Sequence, residues 1–196
     1  MKNIILASQS PRRKMLLEWA EVPFEVVVKA TDENYPRELA VEEVPVYIAR
    51  EKALQVQAHL RDSYHGQYEG RPILAADTVV VLGEEVIGKP VNRRDAIEIL
   101  MRLAGREHRV ITGVVILHAA GETSFQDITT VRFHPLTEEQ ISFYVDKYQP
   151  FDKAGAYAIQ EWIGVVGIES IQGDFYNVMG LPVSRVVQAL TQLDLQ

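Results

Sequence analysis

Cysteine is absent from the 196-residue sequence. The chain therefore can form no disulfide, no thiolate metal site and no cysteine nucleophile. Long hydrophobic runs are absent as well. The apolar run IILA near the amino terminus is shorter than a signal-peptide core and far shorter than a membrane span. These absences predict a cytoplasmic protein that has no membrane partner.

Positive charge is also scarce, with 20 Lys and Arg against 27 Asp and Glu and a net charge of −7. Proteins that bind nucleic acid over a broad surface usually carry a net basic face, so no nucleic-acid partner is expected. The five histidines show no metal-ligand spacing such as HExxH, and no GxSxG elbow surrounds Ser8 or Ser10. We expect each histidine on the surface or hydrogen-bonded inside, and any metal bound through oxygen atoms.

The order of apolar and polar segments predicts an α/β protein with at least one antiparallel hairpin in its sheet. A buried strand over 4–7 leads into a helix that Ser10 caps and Pro11 begins. Further strands are predicted over 24–30, 73–82, 108–119 and 123–134, and helices over 44–60, from Asn92 to Gly105, from Thr137 and after Pro182. In the helix after Asn92, we expect the core-facing stripe to be Ile97, Leu100, Met101 and Ala104.

The stretch SQSPRRK contains an electrostatic conflict. Arg12, Arg13 and the lysine that follows lie in the first helical turn, where the helix dipole is positive and acidic residues are favoured. An anion bound by the free helix amides, the hydroxyls of Ser8 and Ser10 and the guanidinium groups would remove this conflict. Phosphate is the obvious candidate.

Acidic and basic residues elsewhere leave several interpretations open. Asp77 interrupts an apolar strand, where an unpaired carboxylate costs roughly several kcal/mol; it is either bonded to a neighbouring loop or a catalytic or metal-binding group. Glu33 in the polar loop TDEN is interpreted from spacing alone as solvated, and Lys52 as a solvent-facing helix lysine. Lys89 in GKP fits a ligand contact and an ordinary loop equally well. Carboxylates such as Asp77 and Glu33 suit Mg²⁺ or Mn²⁺.

Eight segments, in order and at similar spacing, resemble the Maf family of nucleotide pyrophosphatases over nearly the whole chain. They are SQSPRRKMLL, the glutamate of TDEN, the lysine of AREKA, AADTVV, IGKP, HRVITGV, DKAGAYAIQ and GDFYNVMGLP. The first segment alone is a weak signal, whereas the eight together are highly specific. One departure is that many relatives continue AIQG where this chain has AIQEW, so Glu161 and Trp162 are expected to reshape the rim of the pocket.

The resemblance implies a fold and a reaction. The fold is an elongated α/β structure of the inosine triphosphate pyrophosphatase type, with a mixed sheet and two lobes around a central cleft, formed by residues 1–196 as one Maf-like domain. The reaction is hydrolysis of a nucleoside triphosphate between the α and β phosphorus atoms, with help from Mg²⁺ or Mn²⁺. The implied partner is a small-molecule nucleotide, and a homodimer is left open.

The resemblance also assigns residues to roles. Asp77 matches the proton acceptor and Glu33 a second acidic residue, and both are expected near the metal. Lys52 and Lys89 match basic residues that act on the phosphates, and Ser8, Ser10, Arg12 and Arg13 match the phosphate-binding residues. Arg12, Thr78 and Gln160 match the positions associated with dTTP and UTP specificity. A glutamine amide offers the donor and the acceptor that a uracil or thymine edge requires.

Other functions remain open at this point. One is a pyrophosphatase for modified nucleotides such as 5-methyl-UTP, pseudouridine triphosphate or 7-methyl-GTP. The other is a nucleotide-binding regulator of septum formation that has no enzymatic activity. A regulator would not account for an acidic pair beside a group of cations, so hydrolysis of dTTP and UTP is the main expectation.

Overall fold

The computed structural model describes residues 3–64 and 66–194, and the expectation for His65 falls outside these ranges. The described chain contains seven strands and seven α-helices. The strands are β1 Ile4–Leu6, β2 Phe24–Val26, β3 Ile73–Leu82, β4 Glu85–Ile87, β5 Glu107–His118, β6 Gly121–Phe133 and β7 Ile168–Gln172. The helices are α1 Pro11–Trp19, α2 Val44–Tyr64, α3 Arg93–Leu103, α4 Glu138–Tyr148, α5 Trp162–Gly167, α6 Phe175–Met179 and α7 Val183–Asp194. Within the described ranges, no helix combines the length and the apolar character that a membrane span needs.

The seven strands form one mixed sheet in the order β2-β1-β3-β5-β6-β7, with β4 paired to β3. Strand β1 runs parallel to β2 and to β3, with Ile5 opposite Ile73. The pairs β3/β4 and β6/β7 are antiparallel, and Val81 lies opposite Val86 in the first of them. The predicted α/β class, mixed sheet and hairpin are therefore confirmed.

Two compact units divide the chain. Unit 1 comprises the residues up to Asp77, the segment Thr112–Asp127 and the residues from Gly180 onward. Unit 2 comprises Thr78–Ile111 and Ile128–Met179. The chain passes from unit 1 into unit 2 within β3, between Asp77 and Thr78.

The core of unit 1 forms where α2 packs on β1, β3 and β5. Its buried side chains are Ile5, Ala7, Ala49, Ala53, Val56, Leu60, Ile73, Ala75, Val115 and Leu117. Gly113 in β5 allows this packing, because a Cβ there would lie 2.2 Å from the backbone nitrogen of Val46. The first turn of α2 thus rests directly on β5, which fixes the helix that carries Lys52.

In unit 2, α3 packs against α4, and the stripe predicted for α3 is wrong except at Leu100. Ala96, Ile99, Leu100 and Leu103 are buried, whereas Met101 is 44% exposed. The two stripes have the same i, i+3, i+4, i+7 spacing and are offset by one position along the helix. Spacing alone therefore does not choose between them. The position of α4 decides which face is buried.

The predicted helix starts are confirmed at the level of individual hydrogen bonds. The Ser10 side chain accepts from the backbone N–H of Arg13 at 3.5 Å, and Asn92 caps α3 by accepting from Asp95 at 3.0 Å. Thr137 caps α4 through a reciprocal capping box. Other boundaries differ, because α2 continues to Tyr64 and the strand predicted over 24–30 is regular only over Phe24–Val26.

Candidate active site

Lys52 lies between two carboxylates of unit 1. Its Nζ donates to Glu33 Oε1 at 2.8 Å and to Asp77 Oδ1 at 2.7 Å. The side chains of Lys52 and Asp77 are only 18% and 13% exposed, whereas that of Glu33 is 46% exposed. The interpretation of Lys52 as a solvent-facing lysine is therefore wrong, and Asp77 has the charged partner that its buried position requires.

The local sequence explains how these three side chains meet. Ala49 and Ala53 face the core of unit 1, so Lys52 is carried at the edge of that face on a helix fixed by its contact with β5. Asp77 ends the buried run of β3 that contributes to unit 1. Glu33 comes from the exposed loop between β2 and α2 and reaches inward to Lys52.

Ser8, Ser10 and Arg13 form a hydrogen-bonded corner at the start of α1, also within unit 1. Ser8 Oγ accepts from Arg13 Nη1 and from the backbone N–H of Ser10, both at 3.2 Å. Arg13 Nε donates to the carbonyl of Gly180 at 2.8 Å, and the arginine is only 9% exposed. The guanidinium group of Arg13 therefore lies inside unit 1 and orients the Ser8 hydroxyl.

The charge of Arg13 in this corner interacts with the carboxylates of Asp77 and Glu33. Burial lowers the pKa of Arg13 below its ordinary value, Asp77 and Glu33 act in the opposite direction, and Arg12 lowers it further. Because a guanidinium group stays protonated in proteins, Arg13 keeps its charge at neutral pH. The repulsion between Arg13 and the helix dipole is thus partly offset by carboxylates of the same unit.

The remaining predicted site residues belong to unit 2 and lie on separate segments. Thr78 follows Asp77 in β3, and Lys89 is exposed in the loop after β4. Gln160 is exposed in the turn that precedes α5. Arg12 lies in unit 1 on the first turn of α1 and is partly buried.

Tyr144 is a residue that the sequence reasoning missed. Its ring is fully buried in α4, and its hydroxyl contacts both Glu161 and the backbone N–H of Ala158, on either side of Gln160. The available signal was a tyrosine on the buried face of a helix, since a buried hydroxyl needs a hydrogen-bond partner. The side chain of Glu161 is 22% exposed and is taken up by this contact.

His108 meets the expectation of a histidine hydrogen-bonded inside, but through only one of its two ring nitrogens. It is 2% exposed, and its Nε2 lies 2.7 Å from the hydroxyl of Tyr157. Its Nδ1 is buried and hydrogen-bonds to no residue within 3–64 or 66–194. Burial lowers the pKa of His108 to about 4, so the ring is neutral at physiological pH.

The donor set suits a metal ion that arrives with phosphate. No cluster of three or more His, Asp and Glu side chains that could hold a metal occurs among the described residues. Glu33 and Asp77 provide two carboxylates, both bonded to Lys52. Mg²⁺ is commonly held by one or two carboxylates together with substrate phosphates and water, so this pair fits such an ion.

Comparison with known proteins shows what the chain is similar to. A protein named dTTP/UTP pyrophosphatase from Cytophaga hutchinsonii is 49% identical over 191 residues, which is 97% of this chain and 84% of that protein. A protein of the same name from Bacteroides thetaiotaomicron is 46% identical over 193 residues, 97% of this chain and 96% of that one.

A solved structure supports the fold. The Ham1 protein of Staphylococcus aureus aligns with a TM-score of 0.51 at 15% identity, covering 98% of this chain and 100% of that one. This likeness confirms the predicted fold type, and at this identity it concerns the fold alone. The model of the family described as Maf-like protein matches residues 3–193, and the chain therefore belongs to the Maf family.

Proposed function

We propose that this protein is a nucleoside triphosphate pyrophosphatase that hydrolyses dTTP and UTP to the nucleoside monophosphate and pyrophosphate. The observation that carries the proposal is Lys52 held between the carboxylates of Glu33 and Asp77, in the unit that also contains the buried Arg13. Relatives that are 49% and 46% identical over nearly the whole chain are named dTTP/UTP pyrophosphatases, which supports the same reaction.

Asp77 is the proposed proton acceptor. A carboxylate that takes a proton from water as the water attacks phosphorus must be held in one orientation, and Lys52 holds Asp77 through Oδ1. Glu33 binds the same ammonium group and so completes the orientation of Lys52. If Asp77 were only an ion-pair partner of Lys52, the second carboxylate on Lys52, that of Glu33, would not be needed.

Cationic and hydroxyl groups are proposed to bind the triphosphate. Phosphoryl transfer demands mainly positioning and charge stabilisation from a protein. Arg12, Lys52 and Lys89 are proposed to offset charge on the phosphates. Ser8 and Ser10 are proposed to donate hydrogen bonds to them, and Arg13 supports this role because it already orients the Ser8 hydroxyl.

A divalent cation, Mg²⁺ or Mn²⁺, is proposed to enter with the triphosphate and to be held by Glu33 and Asp77. When bound, it would polarise a phosphate group and neutralise part of its charge. The two carboxylates of the chain contribute oxygen atoms, which is the ligand type that hard cations prefer.

Selectivity for the base is proposed to depend on Arg12, Thr78 and Gln160. The exposed amide of Gln160 offers one donor and one acceptor, which a uracil or thymine edge can satisfy together. Residues 1–196 are proposed to act as a single Maf-like domain, which fits a family match over residues 3–193. Since nucleoside triphosphates are its proposed substrates, we expect it to work in the cytoplasm, and a homodimer stays a prediction.

The test is release of pyrophosphate from UTP, dTTP, CTP, GTP, ATP, ITP, 7-methyl-GTP, 5-methyl-UTP and pseudouridine triphosphate, with Mg²⁺ or Mn²⁺. We expect release from UTP and dTTP, with the monophosphate as the second product. Replacing Asp77 by Asn should lower kcat by about a hundredfold to ten-thousandfold, the usual contribution of a general base.

Asp62→Asn is the matched control, because Asp62 is a 70% exposed carboxylate whose ion-pair partner is Arg61. It should leave kcat unchanged. Release of phosphate instead of pyrophosphate would contradict the proposed reaction. No turnover of any nucleotide by the folded protein would favour a nucleotide-binding regulator, and normal turnover by folded Asp77→Asn would remove Asp77 from the mechanism.

A further inference from the structure

A single buried hydroxyl binds both ends of the turn that carries Gln160. Tyr144 OH accepts a hydrogen bond from the backbone N–H of Ala158 at 3.1 Å and donates one to Glu161 Oε2. Ala158 is buried, Glu161 is partly buried, and Gln160 between them is exposed. Tyr144 thus fixes the chain two residues before and one residue after the exposed glutamine.

Backbone contacts restrict the same turn further. The N–H of Glu161 donates to the carbonyl of Ala158 at 3.1 Å, and the N–H of Gly164 donates to the carbonyl of Glu161 at 2.9 Å. A Cβ on Gly164 would lie only 1.6 Å from the carbonyl oxygen of Ile159, so α5 touches the backbone of the turn directly. Little freedom remains for the backbone of Gln160.

The carboxylate of Glu161 faces the turn instead of capping the helix that it precedes. Glu161 is the N-cap residue of α5, yet its side chain makes no capping hydrogen bond. Its Oε1 lies 3.8 Å from Nζ of Lys153, whose side chain is only 11% exposed and also binds Asp152 at 2.8 Å. The ammonium group of Lys153 therefore helps to keep Glu161 turned toward Tyr144.

We propose that Tyr144 and Glu161 are positioning residues that present the amide of Gln160 and thereby set the selectivity of the enzyme for the base. The inference rests on the proposed function, in which Gln160 recognises a uracil or thymine edge. Neither residue needs to touch the nucleotide. Their contribution is to keep the backbone around Gln160 in one conformation, so that the Gln160 side chain starts from a fixed position when the base arrives.

This arrangement predicts an effect on discrimination between bases instead of on the chemical step. When the backbone of the turn can shift, the amide of Gln160 can move to meet a wrong base nearly as well as the right one, because an amide offers both a donor and an acceptor. Asp77 and Lys52 belong to unit 1, whereas this turn belongs to unit 2. Loosening the turn should therefore raise KM for UTP and leave kcat nearly unchanged.

The experiment compares kcat and KM for UTP and CTP in Tyr144→Phe, Glu161→Gln and Gln160→Ala. Tyr148→Phe is the matched control, since it also removes a hydroxyl from α4, from a ring stacked on Tyr144. We expect Tyr144→Phe to lower the ratio of kcat/KM for UTP to that for CTP by about tenfold, roughly the effect of one or two lost hydrogen bonds. Tyr148→Phe should leave the ratio unchanged.

A double variant separates positioning from general loosening of the fold. In the Gln160→Ala background, Tyr144→Phe should cause no further loss of selectivity, because the group that it positions is gone. A further loss in that background would overturn the inference, as would an unchanged ratio in Tyr144→Phe alone. If Tyr144→Phe fails to fold, the same comparison of UTP and CTP is made with Glu161→Gln. This variant keeps an acceptor for Tyr144 but loses the charge that faces Lys153.

The outcomes also separate this inference from the function beneath it. A wild-type protein without pyrophosphatase activity refutes the proposed function. An active wild type that prefers UTP, in which Gln160→Ala lowers the preference and Tyr144→Phe does not, refutes only the positioning role.

Discussion

Acidification should destabilise this protein through His108. Burial lowers the pKa of His108 from 6.5 to about 4, so protons bind this residue more readily in the unfolded chain than in the folded one. The contribution of neutral His108 to the unfolding free energy is therefore complete above the pKa of the residue in the unfolded chain. It is lost as the pH falls toward the pKa of the residue in the folded chain. The full difference is worth about 3 kcal/mol of unfolding free energy, of which about 2 kcal/mol is already lost near pH 5.

Geometry gives the same direction. The ring of His108 packs edge-on against Phe133 and Tyr157, with centroids 5.2 and 5.5 Å away, and its Nδ1 has no hydrogen-bond partner among the described residues. A second proton on the His108 ring would create a buried positive charge in contact with aromatic rings. Such a charge is costly unless it is paired and hydrogen-bonded.

The assay is urea unfolding at about pH 7.5 and about pH 5 for wild type, His108→Gln and His134→Gln. The difference between the two pH values should be smaller in His108→Gln than in wild type by about 2 kcal/mol. His134 is exposed, so His134→Gln should keep the wild-type difference. If His108→Gln and wild type lose the same free energy on acidification, His108 is not neutral and buried as described.

Three further perturbations test the fold and the site. Replacing Lys52 by Met leaves two carboxylates without their shared ammonium group, so kcat for pyrophosphate release should fall by about a hundredfold or more, and an unchanged kcat would contradict the role of Lys52. Gly164→Ala should lower the unfolding free energy by roughly several kcal/mol, because its Cβ would overlap the carbonyl of Ile159. Gly88→Ala is the control, since a Cβ there has open space around it, and it should change the midpoint of urea unfolding little. Asn177→Ala removes two buried hydrogen bonds from its amide nitrogen, so unfolding free energy should fall by about 2 kcal/mol; equal stability would show that these bonds contribute nothing.

Much of the fold follows from short-range signals. The caps at Ser10, Asn92 and Thr137 are residues whose side chains satisfy the first free amides of a helix, and all three act as predicted. The prediction of strand β3 is confirmed over its full length, and the strand is rich in valine, a residue that strands favour. Such features depend on neighbours along the chain, which a single sequence displays.

Features set by distant contacts were harder to predict. The buried face of α3 depends on α4, and two overlapping stripes fit the sequence equally well. Strand β7 was not predicted, since three of the five residues of IESIQ are polar and exposed, and the segment becomes a strand by pairing with β6. Helices α5 and α6 are six and five residues long, which is too short for a clear periodic pattern.

In the candidate site too, local features were predictable and distant contacts were not. Asp77 was recognisable because a carboxylate within an apolar strand needs a partner. That partner, Lys52, is 25 positions away in the sequence, so the sequence did not identify it. Arg13 was predicted to face an anion from its position in the first helical turn. Its burial and its bond to Gly180, 167 positions away, are visible only in the folded chain.

That bond between Arg13 and Gly180 has a consequence for biosynthesis. A ribosome releases residue 13 early and residue 180 late, so a growing chain carries a guanidinium group whose buried carbonyl acceptor does not yet exist. The segments of unit 2 end at Met179, directly before this acceptor. We therefore expect unit 1 to reach its native protease resistance only after the residues from Gly180 onward have left the ribosome; native resistance of unit 1 in chains that stall before residue 180 would contradict this.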